Sequence, residues 1–468
     1  MQGYRWLSGA SVAALLAVPA LAHAHAPSLD QAVVQTMARS EAAPLSERQA
    51  LEARIALLES ELNSLKAEIR ASRPAPSSAP TAIAAAPVVP VTAAQPAQSA
   101  QRQEGFWVGN HQIKLGGFIK ADASISNYSD GDIPSGDLGR DFYLPGSIPV
   151  GGASEDAVTD FSARQTRFWL TSEGEVAGHK VGTRIEMDFQ ALPGSGDHRT
   201  TNPSSPALRR AFITIDNWLI GQEWSNFQNL NVLPETADYL GPSEGMILSR
   251  QVQVRYTRGP LSLSVENPET TLTPFGGGAR IIADDNALPD FTARLSHVRP
   301  WGEVQLAGLV RQLKYENPAS AIDSSTYGWG LSASAKFKVG ASDDIRLMLT
   351  GGEGIGRYVG LNLANDGVLD ASGEIETIGV LAGFAAYRHV WQPNWRSSFI
   401  LSHQEIDNPQ ALTGLLVNRS ASSARANLIW TPLTGLDLGA ELMFGKRELQ
   451  SGQSGDMNRL SLFAKYGF

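Results

Sequence analysis

From Phe106 to Phe468 the chain runs in short stretches that alternate apolar and polar residues. Ile113, Leu115, Ile119, Ala121, Ala123 and Ile125 alternate with Lys114, Lys120, Asp122, Ser124 and Ser126. Val181, Thr183, Ile185, Met187 and Phe189 alternate with Gly182, Arg184, Glu186 and Asp188. The same period recurs over Ile345–Leu349, Ala424–Trp430 and Leu436–Phe444. A period of two puts successive side chains on opposite faces of a β-strand, so each stretch has one greasy face and one wet face. A soluble sheet would satisfy that much.

The connections discriminate. Long gaps fall near Tyr128–Asp160, Ala191–Ala207, Ser225–Arg250, Pro268–Pro289, Glu316–Ser325, Gly352–Gly373, Asn408–Ser420 and Gln450–Gly455. Short gaps fall near Gly174–Gly178, Asp216–Asn217, Arg258–Gly259, Arg299–Trp301, Gly340–Asp343, Trp391–Asn394 and Thr431–Thr434. The two kinds alternate, which predicts an all-β, transmembrane antiparallel barrel of about sixteen strands, with long loops at one end and tight turns at the other. A soluble sandwich has no reason to sort its loops by parity. Lipid offers backbone groups no partner, so the sheet must close. Sixteen strands leave a water-filled lumen that side chains do not fill. Phe106, Trp107, Trp218, Trp301, Trp391, Trp395 and Trp430 gather beside short turns, as interfacial girdles do. In the last stretch Leu460, Leu462, Ala464, Tyr466 and Phe468 share one face. A terminal aromatic on an alternating strand resembles the signal read by outer-membrane assembly machinery, which makes Tyr466 and Phe468 its candidates.

The N-terminal region has a different character. Arg5 precedes an apolar run from Val12 to Leu21, followed by small-x-small sites at Ala20–Ala22 and Ala22–Ala24. Residues 1–24 read as a signal peptide, with a buried helix or membrane anchor as the alternative. Leu51, Ile55, Leu58, Leu62, Leu65 and Ile69 form an a/d heptad seam, so residues 25–73 are expected to carry a periplasmic coiled coil. So short a helix is marginal alone and calls for copies of itself or for docking on its own barrel. Two- and three-stranded coils both fit the seam. Residues 74–105 are rich in Ala and Pro and read as an extended linker to a barrel at 106–468.

Composition closes several other routes. The sequence has no cysteine, which excludes disulfides, thiolate metal sites and cysteine nucleophiles. A formal net charge of -9 argues against a nucleic-acid partner. No enzyme is expected: the few histidines, among them His111, His297 and His403, accompany no nucleophile motif. Gly194-Ser195-Gly196 reads as a turn, and Asp284-Asp285-Asn286 as a loop acid cluster with a calcium site as its alternative. No cofactor and no structural metal are implied.

The barrel resembles the DcaP-like porins. The matching stretches are Gly117-Phe118-Ile119-Lys120-Ala121-Asp122, Ala163-Arg164-Gln165-Thr166-Arg167-Phe168, Glu186-Met187-Asp188-Phe189 and Gly221-Gln222-Glu223-Trp224-Ser225-Asn226-Phe227, followed by Pro234-Glu235-Thr236, Gly241-Pro242 and Arg255-Tyr256. They cover roughly the first half of the barrel. The resemblance implies a sixteen-stranded homotrimer in the outer membrane of a Gram-negative bacterium, with the segment after Trp224 folded into the pore as a constriction. It also implies passage of small, often anionic solutes such as dicarboxylates. Arg209-Arg210-Ala211-Phe212 departs from the family pattern, which has a His and a Tyr there.

Alternation assigns lumen residues directly. Lys114, Lys120, Arg167, Arg184, Arg210, Arg255, Arg294, Arg311, Arg346, Arg396, Arg425 and Arg459 are expected to face inward. Asp122, Glu186, Asp188, Glu303, Asp437 and Glu441 are the expected inward acids. A basic ladder should therefore face an acidic third long loop carrying Glu223, Trp224, Glu235, Asp238 and Glu244. Rings of Arg or Lys favour anions, unless the arginines are spent on neighbouring acids. An unselective pore and a barrel tethered through its coiled coil are the competing readings.

Overall fold

The computed structural model describes residues 105–190 and 201–468. The expected signal peptide, the Leu51–Ile69 seam and the linker up to residue 104 lie outside the described residues. The barrel is a closed antiparallel sheet of 16 strands. They are β1 (His111–Tyr128), β2 (Val158–Ser162 and Arg167–Val176), β3 (His179–Asp188), β4 (Ala207–Ile215), β5 (Trp218–Trp224), β6 (Arg250–Arg258), β7 (Leu261–Glu266) and β8 (Asp290–Arg299). They continue as β9 (Gly302–Asn317), β10 (Ile322–Val339), β11 (Asp343–Glu353), β12 (Gly379–Gln392), β13 (Trp395–Asp407), β14 (Asn418–Leu433), β15 (Leu436–Leu449) and β16 (Ser454–Gly467).

Each strand pairs with its sequence neighbours, and β16 closes on β1 from Phe118↔Gly467 to Tyr128↔Met457. Phe468 completes the seam: its amide donates to the Gly117 carbonyl at 3.1 Å, and the Gly117 amide donates back at 3.2 Å. A Cβ at Gly117 would sit 2.5 Å from the Arg167 carbonyl oxygen and 3.1 Å from the Phe468 ring, so the backbone contact there needs glycine. Short turns join the even strands to the odd ones that follow. Between β2 and β3, Ala177 and Gly178 have φ of 51° and 83°, the two positive values that a type I′ hairpin demands.

The outer face is the greasy one. Leu349, Leu401 and Leu442 are 58%, 64% and 64% exposed, as are their neighbours on the same stripe. At the short-turn end aromatic pairs ring the barrel: Trp218 with Tyr256, Trp301 with Phe337, and Trp395 stacked on Trp430 at 5.6 Å.

The inner face is not uniformly wet, which corrects the simple polar-inside expectation. The third long loop (residues 225–249) and the sixth (354–378) fold into the barrel. Phe227 and Ile247 of the former and Ile355, Tyr358, Val359 and Leu363 of the latter pack on Leu309, Val380, Ala382, Ile406 and Ala421 of the wall. The two loops are stitched together, with the Leu248 amide donating to the Tyr358 carbonyl at 2.9 Å and the Gly360 amide to the Met246 carbonyl at 3.2 Å. The fourth loop (267–289) joins the sixth in a four-stranded sheet of Ile281–Ala283, Thr270–Thr273, Gly367–Leu369 and Ile375–Thr377. These loops fill part of the lumen against β9–β14.

Placing a charge on the outer stripe should be costly. Leu349→Arg, in the middle of β11, is expected to destabilise the barrel by about 2–4 kcal/mol, read as a lower urea midpoint for folding into lipid vesicles. An unchanged midpoint would mean that Leu349 meets water.

Candidate functional site: the constricted lumen

The wall away from those packed loops, from β2 to β8, carries a second set of basic residues. β3 offers Glu186 and Asp188 to the lumen, and arginines from three strands converge on them. Glu186 accepts from Arg184 at 2.6 Å, Arg209 at 3.0 Å and Arg210 at 3.3 Å, with Arg167 at 3.8 Å. Asp188 accepts from Arg209 at 2.7 Å, from Arg167 at 3.3 Å and from the Tyr239 hydroxyl of the third loop at 2.7 Å. Burial, with the Asp188 carboxylate beside it, pushes the Tyr239 hydroxyl above its ordinary range, so it stays a donor. Arg210 also reaches Glu223 of β5 at 2.8 Å.

A β-bulge builds this cluster. Opposite the Glu186–Met187 step, Glu186 pairs with Arg210 and Met187 with Leu208, leaving Arg209 as the extra residue of β4. Strict alternation would send one of two adjacent arginines to lipid. The bulge turns both inward, and Arg209 becomes buried while Leu208 stays exposed. Further along the wall, Arg255 donates to the Gln253 side-chain oxygen at 3.0 Å and to the Trp224 carbonyl. Arg250 lies over the Trp224 ring at 5.0 Å. Among the described residues Arg250, Arg255 and Arg294 form no ion pair.

The acidic loop does not stand free across from the ladder. Glu235 is paired with Arg388 at 2.9 Å and with Arg396 at 3.0 Å. Asp238 meets Arg425 at 3.4 Å and accepts from the Tyr143 amide at 3.0 Å. Glu223 and Trp224 end β5 rather than belonging to the loop. Glu244 is fully buried behind the loop and presents nothing to the lumen. The wall also holds the loop by its backbone: Lys120 donates to the Ala237 carbonyl, Arg346 to the Leu233 carbonyl and Asn427 to the Glu235 carbonyl.

The inward ladder therefore divides in two. Arg167, Arg184 and Arg210 keep side-chain exposures of 20%, 22% and 20%. Arg311 and Arg425 point inward as alternation requires, but their side chains have no exposed surface. As placed they do not line water, because loops roof them over. Arg311 meets Asp290 at 3.3 Å and Asp366 of the sixth loop at 2.8 Å. The Tyr358 hydroxyl and Arg357, both of that loop, donate to the same Asp290 at 2.8 and 3.1 Å. Arg459 is likewise buried, bonded to Ser126, Tyr128 and the Gly139 carbonyl. Lys114 faces inward near the short-turn end.

Sequence reasoning named Arg209 only as a departure from the family pattern, not as an inward residue, and passed over Arg388, Asp290, Asp344 and Glu266. The bulge hid Arg209, and Asp290 and Asp344 sit where strands begin beside turn residues. Asp344 could have been found from its spacing, two residues before Arg346 on one face, which it binds.

The site is thus a closed barrel with its third loop folded into a charged lumen. A family model of the DcaP outer membrane protein matches residues 111–468. The chain belongs to the DcaP outer membrane protein family. Among solved structures, the outer membrane channel DcaP of Acinetobacter baumannii is 26% identical, with a TM-score of 0.63, over 78% of this chain and 100% of that one. OmpT of Vibrio cholerae is 9% identical, with a TM-score of 0.47, over 78% and 100%. OmpF of Salmonella typhi, in complex with daunomycin, is 10% identical, with a TM-score of 0.45, over 77% and 98%. No curated protein matches. The family match places the protein in the outer membrane as a β-barrel of a channel family and begins at β1.

The buried ion network makes a prediction. Arg311→Met strands Asp290 and Asp366 without a full countercharge, which should cost about 3–5 kcal/mol. The readout is the temperature at which the folded barrel loses its fast mobility on unheated gels. Unaltered heat resistance would show that Arg311 does not hold the sixth loop.

Proposed function

We propose that this member of the DcaP family is a passive diffusion pore for small hydrophilic solutes that favours anions such as dicarboxylates, and that it catalyses no reaction. The observation that carries the reading is the wall formed by β2–β8. It presents half-buried guanidiniums to the lumen, while the loop acids that could oppose them are engaged by Arg388, Arg396 and Arg425 elsewhere. Low-dielectric walls focus the field of such a cluster on the water between them. Guanidinium stays charged and its fork matches a carboxylate. Arg167, Arg184, Arg210, Arg255 and Arg294 form the proposed anion path. Lys120, Arg311, Arg346, Arg396 and Arg425, which the ladder also included, act on it by fixing the loops.

The same proposal includes a homotrimer in outer-membrane lipid, recognition of Tyr466 and Phe468 by assembly machinery, and a periplasmic coiled coil through Leu51–Ile69. An unselective general pore is the second reading. The pairing of Glu235 with two arginines favours it, because paired charges leave a weaker field.

Reversal potentials in a KCl gradient across planar bilayers test selectivity. The expected sign is that of chloride permeation, and a cation-selective potential would falsify the anion reading. Glu235→Gln removes the carboxylate that Arg388 and Arg396 share, leaving them Asp344 at 3.7 Å and Asp437 at 3.2 Å, and should move the potential further toward chloride. Deleting residues 51–69 tests the seam. Loss of the trimer would make it an assembly element, whereas an intact trimer with full current would make it a tether.

A further inference from the structure

The charges around Glu186 do not balance. Arg167, Arg184, Arg209 and Arg210 lie within 3.8 Å of that one carboxylate. Arg250 shares the Trp224 ring with Arg209, at 5.0 and 5.8 Å. Among the described residues these five guanidiniums face the three carboxylates Glu186, Asp188 and Glu223, a formal excess of two positive charges. The next pair along the wall toward β8, Arg255 and Arg294, is matched in number by Glu266 and Glu303, so extending the count in that direction leaves the excess in place. The excess is not closed off from water, since Arg167, Arg184 and Arg210 each keep about a fifth of their side-chain surface. Within the cluster the buried Arg167 Nε and Arg250 Nη1 have no hydrogen-bond partner among the described residues.

We infer that the bulged Arg209–Arg210 pair builds a binding station for compact, doubly charged oxyanions of the phosphate and sulfate class, held in transit through the lumen. The inference rests on the anion reading of the pore and narrows it. The surplus charge is concentrated around a single carboxylate, so the ion that neutralises it best carries both negative charges on one group. A dicarboxylate spreads its charges across an apolar linker, which would have to lie among guanidiniums. Five-donor guanidinium forks suit a tetrahedral oxyanion on several sides at once. The bulge supplies one of the two surplus charges. A flat β4 would carry one inward arginine here, and Arg210 alone would be cancelled by Glu223, which it binds with both carboxylate oxygens.

The test uses the full-length protein in planar bilayers with chloride as the current carrier. Sulfate and inorganic phosphate at alkaline pH are titrated as blockers, with acetate and succinate for comparison. Sulfate and phosphate should reduce the chloride current saturably and at lower concentration than succinate, with acetate weakest. Arg250→Gln removes a charge that is bound to no acid, so the fold should survive it. It should raise the half-blocking sulfate concentration at least about fivefold, the scale of one unit charge about 4 Å away even with water's full dielectric between them. Arg250→Lys should restore most of the block. Arg210→Gln should weaken the block similarly, and if it fails to fold, the Arg250 pair still decides. Anion-selective current with no saturable sulfate block, block undiminished in Arg250→Gln, or succinate equal to sulfate would each overturn the station and leave the pore reading intact. A cation-selective wild type would remove that reading itself.

Discussion

The hydrogen-bonded seam between β16 and β1 is the constraint from which the rest follows. In hydrocarbon an unpaired amide or carbonyl has no substitute partner, so an open edge is not tolerated. Once Gly467 and Met457 are registered on Phe118 and Tyr128, the pleat fixes which residues face lipid and which face the lumen. The outward stripe can then be leucine, valine and tryptophan without penalty, and every polar residue has one place to go. Charges crowd inside because geometry leaves them nowhere else, and the interior has to settle its own electrostatics.

It does so with loops. A wide cylinder of sixteen strands cannot be filled by its own side chains. Here the third, fourth and sixth loops supply both a small apolar core and the missing countercharges. Arg311 between Asp290 and Asp366, and Arg425 between Asp238 and Glu441, are ion pairs with no exposed side-chain surface on the arginine. Buried pairs of this kind add little net stability, because desolvation offsets attraction. Their consequence is positional: a loop whose only low-energy arrangement matches a fixed guanidinium cannot drift. Burial pushes the Tyr358 hydroxyl well above its ordinary range, so the bond it donates to Asp290 persists and adds to that fixing. The constriction is thereby set by wall arginines acting on loop acids and loop carbonyls.

Much of this was legible before any coordinates. Strand number, loop parity and the inward face of Arg184, Arg255 or Arg346 follow from a period of two and from where Gly, Pro, Asn and Asp interrupt it. What alternation cannot show is whether an inward residue meets water. Leu309, Ala382 and Ile406 face inward and are apolar because a loop that is distant in sequence covers them. Arg311 is inward and dry for the same reason. Nor does alternation reveal a partner more than a hundred residues away, such as Glu235 beneath Arg388 and Arg396. The expected confrontation of a basic ladder and an acidic loop across open water became contact, because opposite charges that can touch in a partly dry lumen do so.

The one place where the period itself fails is also the place of greatest electrostatic consequence. An adjacent Arg-Arg pair in a regular barrel strand must offer one guanidinium to lipid, at a cost of about 2–4 kcal/mol near the midplane. The bulge opposite Glu186 avoids that cost by giving up one ladder position, and in exchange it sets a second cation beside the first. A unit charge about 6 Å away acts with about 3 kcal/mol at an effective dielectric near 20. That is enough to change which ions linger. The three acids of the cluster cannot absorb all five cations, and the third loop's acids do not come to help: Glu235 and Asp238 are already bound by Arg388, Arg396 and Arg425. One of the two surplus charges is thus a consequence of backbone register. A single inserted residue, which leaves the lipid-facing stripe as it was, doubles the local excess from one positive charge to two.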